Sequence, residues 1–70
     1  MKLSARNQLT GTVASVVRGP VTALVKVDLG GGQHISATLT TEAADELGLT
    51  VGSPVTAIVK ASAVILGVEE

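Results

Sequence analysis

The chain has 70 residues, a formal net charge of −1 at pH 7, and no Cys, Phe, Tyr or Trp. This length predicts a single domain over residues 1–70. The composition excludes disulfide bonds, and His34 as the only histidine argues against a closed metal site. No run of about 18 apolar residues occurs, so we expect no membrane-spanning helix, and the absence of an apolar leader predicts a cytoplasmic protein.

The distribution of charge along the chain restricts the kind of anion that it can bind. Residues 1–27 hold four cations and no acid, whereas residues 28–70 hold one cation and six acids. A long polyanion such as DNA needs a broad positive field, which this chain lacks, but a small anion needs only a few donors.

A lone domain of this size buries only about 60% of its surface. With 46% apolar residues, the chain is therefore expected to bury apolar strand faces against other copies of itself.

The first segment, Ser-Ala-Arg-Asn at residues 4–7, is rich in hydrogen-bond donors. Its hydroxyl, guanidinium and amide groups suit an anion, and the charged donor would make the strongest bond. The alternative is that Ser4 and Asn7 only satisfy the backbone where a first strand begins. The pattern of the segment leaves both interpretations open.

Five segments are predicted to be strands because they alternate apolar and polar residues or are rich in apolar β-branched residues. They are residues 10–17, 21–29, 34–39, 55–60 and 62–68. Arg-Gly-Pro at 18–20 and the triple glycine at 30–32 predict turns. The last segment is apolar on both faces, so we expect it to be buried on two sides.

Residues 40–49 are the one helical segment. Thr40 or Thr41 is a candidate N-cap, Glu42 lies in the first turn, and Gly48 is placed to end the helix. The resulting order predicts an all-β fold, a five-stranded OB-fold Greek-key barrel with one short helix between strands 3 and 4. An SH3-like barrel is the main alternative, but it does not normally carry this helix.

Two further polar groups lie near strand ends. The threonines at 40 and 41 stand at a helix N-terminus, where backbone N–H groups favour anions, although threonine is also an ordinary helix cap. The second group is Lys60, Ala61 and Ser62 between the last two strands. Lys60 is alternatively an edge-strand charge that opposes aggregation. Lys26 and His34 are interpreted as solvated.

Two motifs support a resemblance that covers Met1 to Val68. The sequences SARNQLTGTV near the start and VTAIVKASAVILG near the end resemble those of the molbindin (Mop) family, whose members bind molybdate or molybdenum-pterin. The resemblance implies an OB-fold that assembles into a hexamer, a trimer of dimers. It also implies that molybdate, or tungstate, binds in pockets between subunits.

The resemblance also implies which residues bind the oxyanion. One subunit would supply Ser4, the Ala5 backbone, Arg6 and Asn7, and another would supply Lys60, the Ala61 backbone and Ser62. Thr40 would be added by analogy with related regulator domains. Those domains carry a Ser where this chain has Ala43, so one side-chain bond is lost or replaced by a backbone N–H. The turn at residues 18–21 is the candidate for a second kind of site on the threefold axis.

These observations predict intracellular storage and homeostasis of molybdate without catalysis. No nucleophile–base pair or pair of carboxylates indicates an enzyme, and no cofactor or metal is expected beyond the oxyanion itself. A ligand-free assembly module is the main alternative. A nucleic-acid-binding OB module would need stacking aromatic residues and a basic groove, so we expect no nucleic acid partner and no membrane partner.

Overall fold

The computed structural model describes residues 3–69. Its elements are four strands, one short α-helix and one 3₁₀ turn: β1 (Asn7–Arg18), β2 (Thr22–Gly30), β3 (Gln33–Thr40), α1 (Thr41–Glu46), β4 (Pro54–Val59) and the 3₁₀ turn (Ala61–Ala63). The strands form one antiparallel sheet in the order β3-β2-β1-β4. An all-β fold with a helix after the third strand is thus confirmed.

Strand β1 connects the two halves of the sheet. Its first half pairs with β4, its second half pairs with β2, and Thr12 is paired on both sides, with Asp28 and with Pro54. The register shifts between Val13 and Ser15, and such a bulge bends a strand and increases its twist. The sheet therefore curls, and its concave face holds the core.

The core consists of small aliphatic side chains on one face of the sheet, closed at one end by the helix. Its buried members are Val13, Ala23, Val25, Val27, Ala44 and Leu49. The predicted inward positions of β2 are confirmed from Ala23 to Val27 because they alternate with exposed residues. The prediction that Val21 lies on the buried face of β2 is wrong, because Val21 lies in the turn before the strand and is exposed.

The turns and helix ends follow the predicted chemistry. All three glycines at 30–32 have positive φ, as the β2–β3 turn requires, and Gly48 follows α1 with φ +65°. Thr40 is the N-cap, and its side chain accepts a hydrogen bond from the Ala43 amide. The helix is shorter than the segment predicted, since it ends at Glu46.

The predicted fifth strand is wrong for the single chain. Within residues 3–69 the sheet has four strands, and the segment 62–68 contains the end of the 3₁₀ turn followed by a stretch without a strand partner. Its apolar side chains are not buried: Ile65 is 94% exposed and Leu66 88%. Alternating and apolar residues indicate where a strand can form. A strand also needs the edge of another strand to pair with, and residues 64–69 pair with no strand of their own chain.

Candidate functional site

The end of the β1–β4 ladder brings the first and last donor-rich segments together. Asn7 is paired with Val59 at the end of this antiparallel register. The residues that precede Asn7 and the residues that follow Val59 therefore leave the sheet side by side. Although they are separated by more than 50 positions in sequence, residues 4–6 and 60–62 become neighbours within one chain.

These two segments line an open cleft of ≈ 570 Å³, which we name the terminal cleft. Its walls are Ser4, Ala5, Arg6, Ile58, Lys60, Ala61 and Ser62. Six of these seven residues were predicted from the sequence. Ile58 was not, but its place as an extra apolar residue on the outer face of an alternating strand is the signal that could have indicated it.

Among the residues that the structure describes, the walls of the terminal cleft contain cations and hydroxyls and no carboxylate. Arg6 and Lys60 are exposed, and among residues 3–69 the ion pair of the chain is elsewhere, between Arg18 and Asp45. Within the same part of the chain, the side chains of Ser4, Arg6, Lys60 and Ser62 make no hydrogen bond to protein atoms. Their donors are available to a ligand.

Asn7 differs from the other predicted site residues. Its Nδ2 donates to the carbonyl oxygen of Val59 at 3.1 Å, which fastens the end of β4 to the start of β1. Asn7 is also absent from the walls of the terminal cleft. The Asn7 amide nitrogen therefore satisfies a strand backbone, which is the alternative to anion binding given above. The side-chain oxygen of Asn7 makes no hydrogen bond within residues 3–69.

Thr40 lies far from the terminal cleft within one chain. It is paired with Thr22, beside the end of β1, whereas the cleft lies at the start of β1. The 12 residues of β1 span roughly 35 Å along the strand at about 3.3 Å per residue. The structure thus brings residues 4–6 and 60–62 together within one chain, whereas the resemblance implied that two subunits supply them. It does not bring Thr40 to them.

The turn after β1 is tied to the helix. The Arg18 Nε donates to Asp45 at 3.0 Å, and its Nη2 donates to the Leu49 carbonyl oxygen at 3.2 Å. The Thr41 hydroxyl donates to the Gly19 carbonyl oxygen at 2.8 Å. These contacts were not predicted, because 27 residues separate Arg18 from Asp45 and no local pattern couples them.

Neither a metal cluster nor a membrane span is found in the described residues. From residue 3 to residue 69, no three His, Cys, Asp or Glu side chains are grouped so that they could hold a metal ion. Over the same residues, no helix is both long and apolar enough to cross a membrane.

Residues 3–66 match the model of the TOBE domain. A probable molybdenum-pterin-binding protein of Haemophilus influenzae is 51% identical over 69 residues, covering 99% of this chain and all of the relative. The chain belongs to the molbindin (Mop) family of TOBE-domain proteins. Another Mop relative, molybdenum-pterin-binding protein 2 of Clostridium pasteurianum, is 39% identical and covers 94% of this chain and 97% of its own.

Solved structures of Mop relatives have the same fold. MopII from Clostridium pasteurianum superposes with a TM-score of 0.89 at 37% identity, covering 96% of this chain and 100% of its own. The cytoplasmic molybdate-binding protein ModG, solved with molybdate bound, superposes with a TM-score of 0.93 at 51% identity. That match covers 99% of this chain and 49% of ModG.

Proposed function

We propose that this protein binds molybdate, and tungstate in the same way, without catalysis, and thereby stores the oxyanion inside the cell. The observation that carries the proposal is the convergence of Ser4, Arg6, Lys60 and Ser62 in the terminal cleft. Two cations and two hydroxyls provide donors for a tetrahedral dianion. The names of Mop relatives and the molybdate bound to ModG support the choice of ligand.

The proposed site is completed between subunits of a hexamer built as a trimer of dimers. An open, exposed cleft leaves a bound anion largely in water, where charge–charge attraction is weak. A second copy covering the cleft would lower the local dielectric and add donors. Thr40 could join the site only from such a copy. Its hydroxyl accepts from the Ala43 amide and keeps its own proton for donation.

The apolar surface supports assembly. Val17, Val21, Leu47 and Val51 are each more than 60% exposed. Burial of these side chains against another copy would remove apolar surface from water, which favours association. The same surface also supports a second candidate function, that of a ligand-free assembly module. Such a module would form the oligomer without binding an anion. A nucleic-acid-binding module has no such support, since the chain lacks aromatic residues.

Calorimetric titration with molybdate, repeated in excess sulfate, tests the proposal. Molybdate has longer metal–oxygen bonds than the S–O bonds of sulfate, so a rigid pocket can discriminate by size. We expect saturable binding of molybdate that persists in sulfate, and similar binding of tungstate. An oligomer that releases no heat with either metal oxyanion would refute storage and favour the assembly module.

A further inference from the structure

The wall of the terminal cleft formed by residues 4–6 lies outside the strand ladder. Strand β1 begins at Asn7, so within residues 3–69 this wall has no strand partner. The opposite wall is held by the 3₁₀ turn, in which the Ala63 amide donates to the Lys60 carbonyl oxygen at 2.9 Å. If the donors of the first wall are to keep one direction, that wall needs a contact of its own.

Gln8, the second residue of β1, makes this contact. Its Nε2 donates to the Ala5 carbonyl oxygen at 3.3 Å, and within residues 3–69 this is the one side-chain hydrogen bond made to residues 4–6. Gln8 is paired with Ile58 on β4. Directly paired residues in antiparallel strands point to the same face, so Gln8 lies beside the apolar wall residue of the cleft without being a wall residue itself.

The hydrogen bond to Ala5 acts on Arg6 through the backbone. The Ala5 carbonyl and the Arg6 N–H belong to one planar peptide unit. A bond to the carbonyl oxygen therefore restrains the plane of that unit, the direction of the N–H and the point from which the Arg6 side chain leaves the backbone. Arg6 is exposed and lines the cleft. A long exposed side chain loses conformational freedom when it binds a ligand, and a fixed starting point lowers that cost.

Asn7 makes the corresponding contact at the other wall. Its Nδ2 donates to the Val59 carbonyl oxygen at 3.1 Å, and Val59 directly precedes Lys60. Successive residues of a strand point to opposite faces, so two consecutive carboxamides can reach two different walls from one strand end. The first two residues of β1, Asn7 and Gln8, thus hold the two walls of the terminal cleft.

We propose that Gln8 is a positioning residue of the oxyanion site. Its carboxamide holds the peptide unit between Ala5 and Arg6, so that the Arg6 guanidinium reaches a bound anion from a fixed starting point. Gln8 does not touch the anion and contributes by reducing the freedom that Arg6 loses on binding. The inference rests on the proposed function, because it takes molybdate as the anion in the terminal cleft.

Backbone ¹⁵N relaxation in the ligand-free protein tests the contact itself. Gln8→Ala should increase the ps–ns mobility of the Ala5 and Arg6 amides. Gln8→Met keeps the length of the side chain but has no N–H donor, and it should have the same effect. Gln33→Ala is the matched control, because Gln33 is exposed at the start of β3 and its substitution should leave both amides unchanged. Wild-type order at these amides in Gln8→Met would overturn the proposal.

Calorimetric titration with molybdate tests the action through Arg6. Gln8→Ala should raise Kd roughly 2- to 12-fold, the range for one net hydrogen bond, while Gln33→Ala should retain the wild-type Kd. In an Arg6→Ala background, Gln8→Ala should cause no further loss, because the group that Gln8 positions is gone. Equal fold losses in both backgrounds would overturn the positioning role.

The titration also separates this inference from the proposed function. A wild-type protein that bound no molybdate would refute the proposed function. Wild-type binding together with an unchanged Kd in Gln8→Ala would refute the positioning role alone.

Discussion

Two cations in the terminal cleft are expected to provide most of the oxyanion affinity. Arg6→Ala or Lys60→Ala should each cost about 1.5–3 kcal/mol, the range for hydrogen bonds to charged groups, or roughly 10- to 150-fold in Kd. Lys26→Ala is the matched control, since Lys26 is exposed on β2 away from the cleft. Calorimetry measures all three affinities. Unchanged binding in both cleft variants would show that the anion lies elsewhere.

Gly11 is required by a close approach between strands. A Cβ at this position would collide with the Asp28 carbonyl oxygen and lie 2.9 Å from Cγ1 of Val27. Gly11→Ala should therefore lower the free energy of unfolding by about 1–3 kcal/mol, the usual cost of overpacking. Gly67→Ala has open space around it and is the control. Denaturant unfolding compares the two, and equal stabilities would contradict the packing described at Gly11.

The short helix depends on its cap and on the turn that it contacts. Thr40→Ala removes the acceptor for the Ala43 amide and should cost about 1 kcal/mol. Thr40→Ser keeps a hydroxyl at the same place and should retain most of the stability. Thermal or denaturant unfolding checks this order. If serine were as destabilising as alanine, the hydroxyl would not be the stabilising group.

The elements show which sequence signals are sufficient. Alternation predicted the buried face of β2 because that strand lies between two neighbours in the same chain. The threonine cap and Gly48 predicted the helix ends because these are local effects. The segment 62–68 was predicted to be a strand but forms none in the single chain. A strand needs a second strand to pair with, and the sequence pattern of one segment does not show whether such a partner is present. Val21 is exposed because the turn extends one residue further than alternation indicates.

The candidate site was predictable in composition but not in geometry. The types of residue in Ser4–Arg6 and Lys60–Ser62 indicated an anion, and the family resemblance named the same residues. That these residues of one chain share a cleft follows from the register of Asn7 with Val59, which no local pattern specifies. The bond from the Asn7 amide to Val59 depends on that same register. The ion pair of Arg18 with Asp45 depends instead on the contact between α1 and the end of β1.

At the scale of the whole molecule, ligand binding and assembly should be coupled. If the anion is held between subunits, it binds the assembled state and stabilises it by mass action, by about 2.7 kcal/mol at a free concentration 100 times Kd. Molybdate should therefore raise Tm in a concentration-dependent way, and sulfate at the same ionic strength should not. A molybdate effect equal to that of sulfate would indicate a general salt effect instead of a site.

Native mass spectrometry tests the central claim, that oxyanions bind in clefts completed by assembly, because it reports the oligomeric state and the bound mass together. With molybdate present we predict a hexamer that carries molybdate, monomers that carry none, and an Arg6→Ala hexamer with reduced occupancy. Molybdate retained on monomers, or a hexamer that never carries it, would contradict the account.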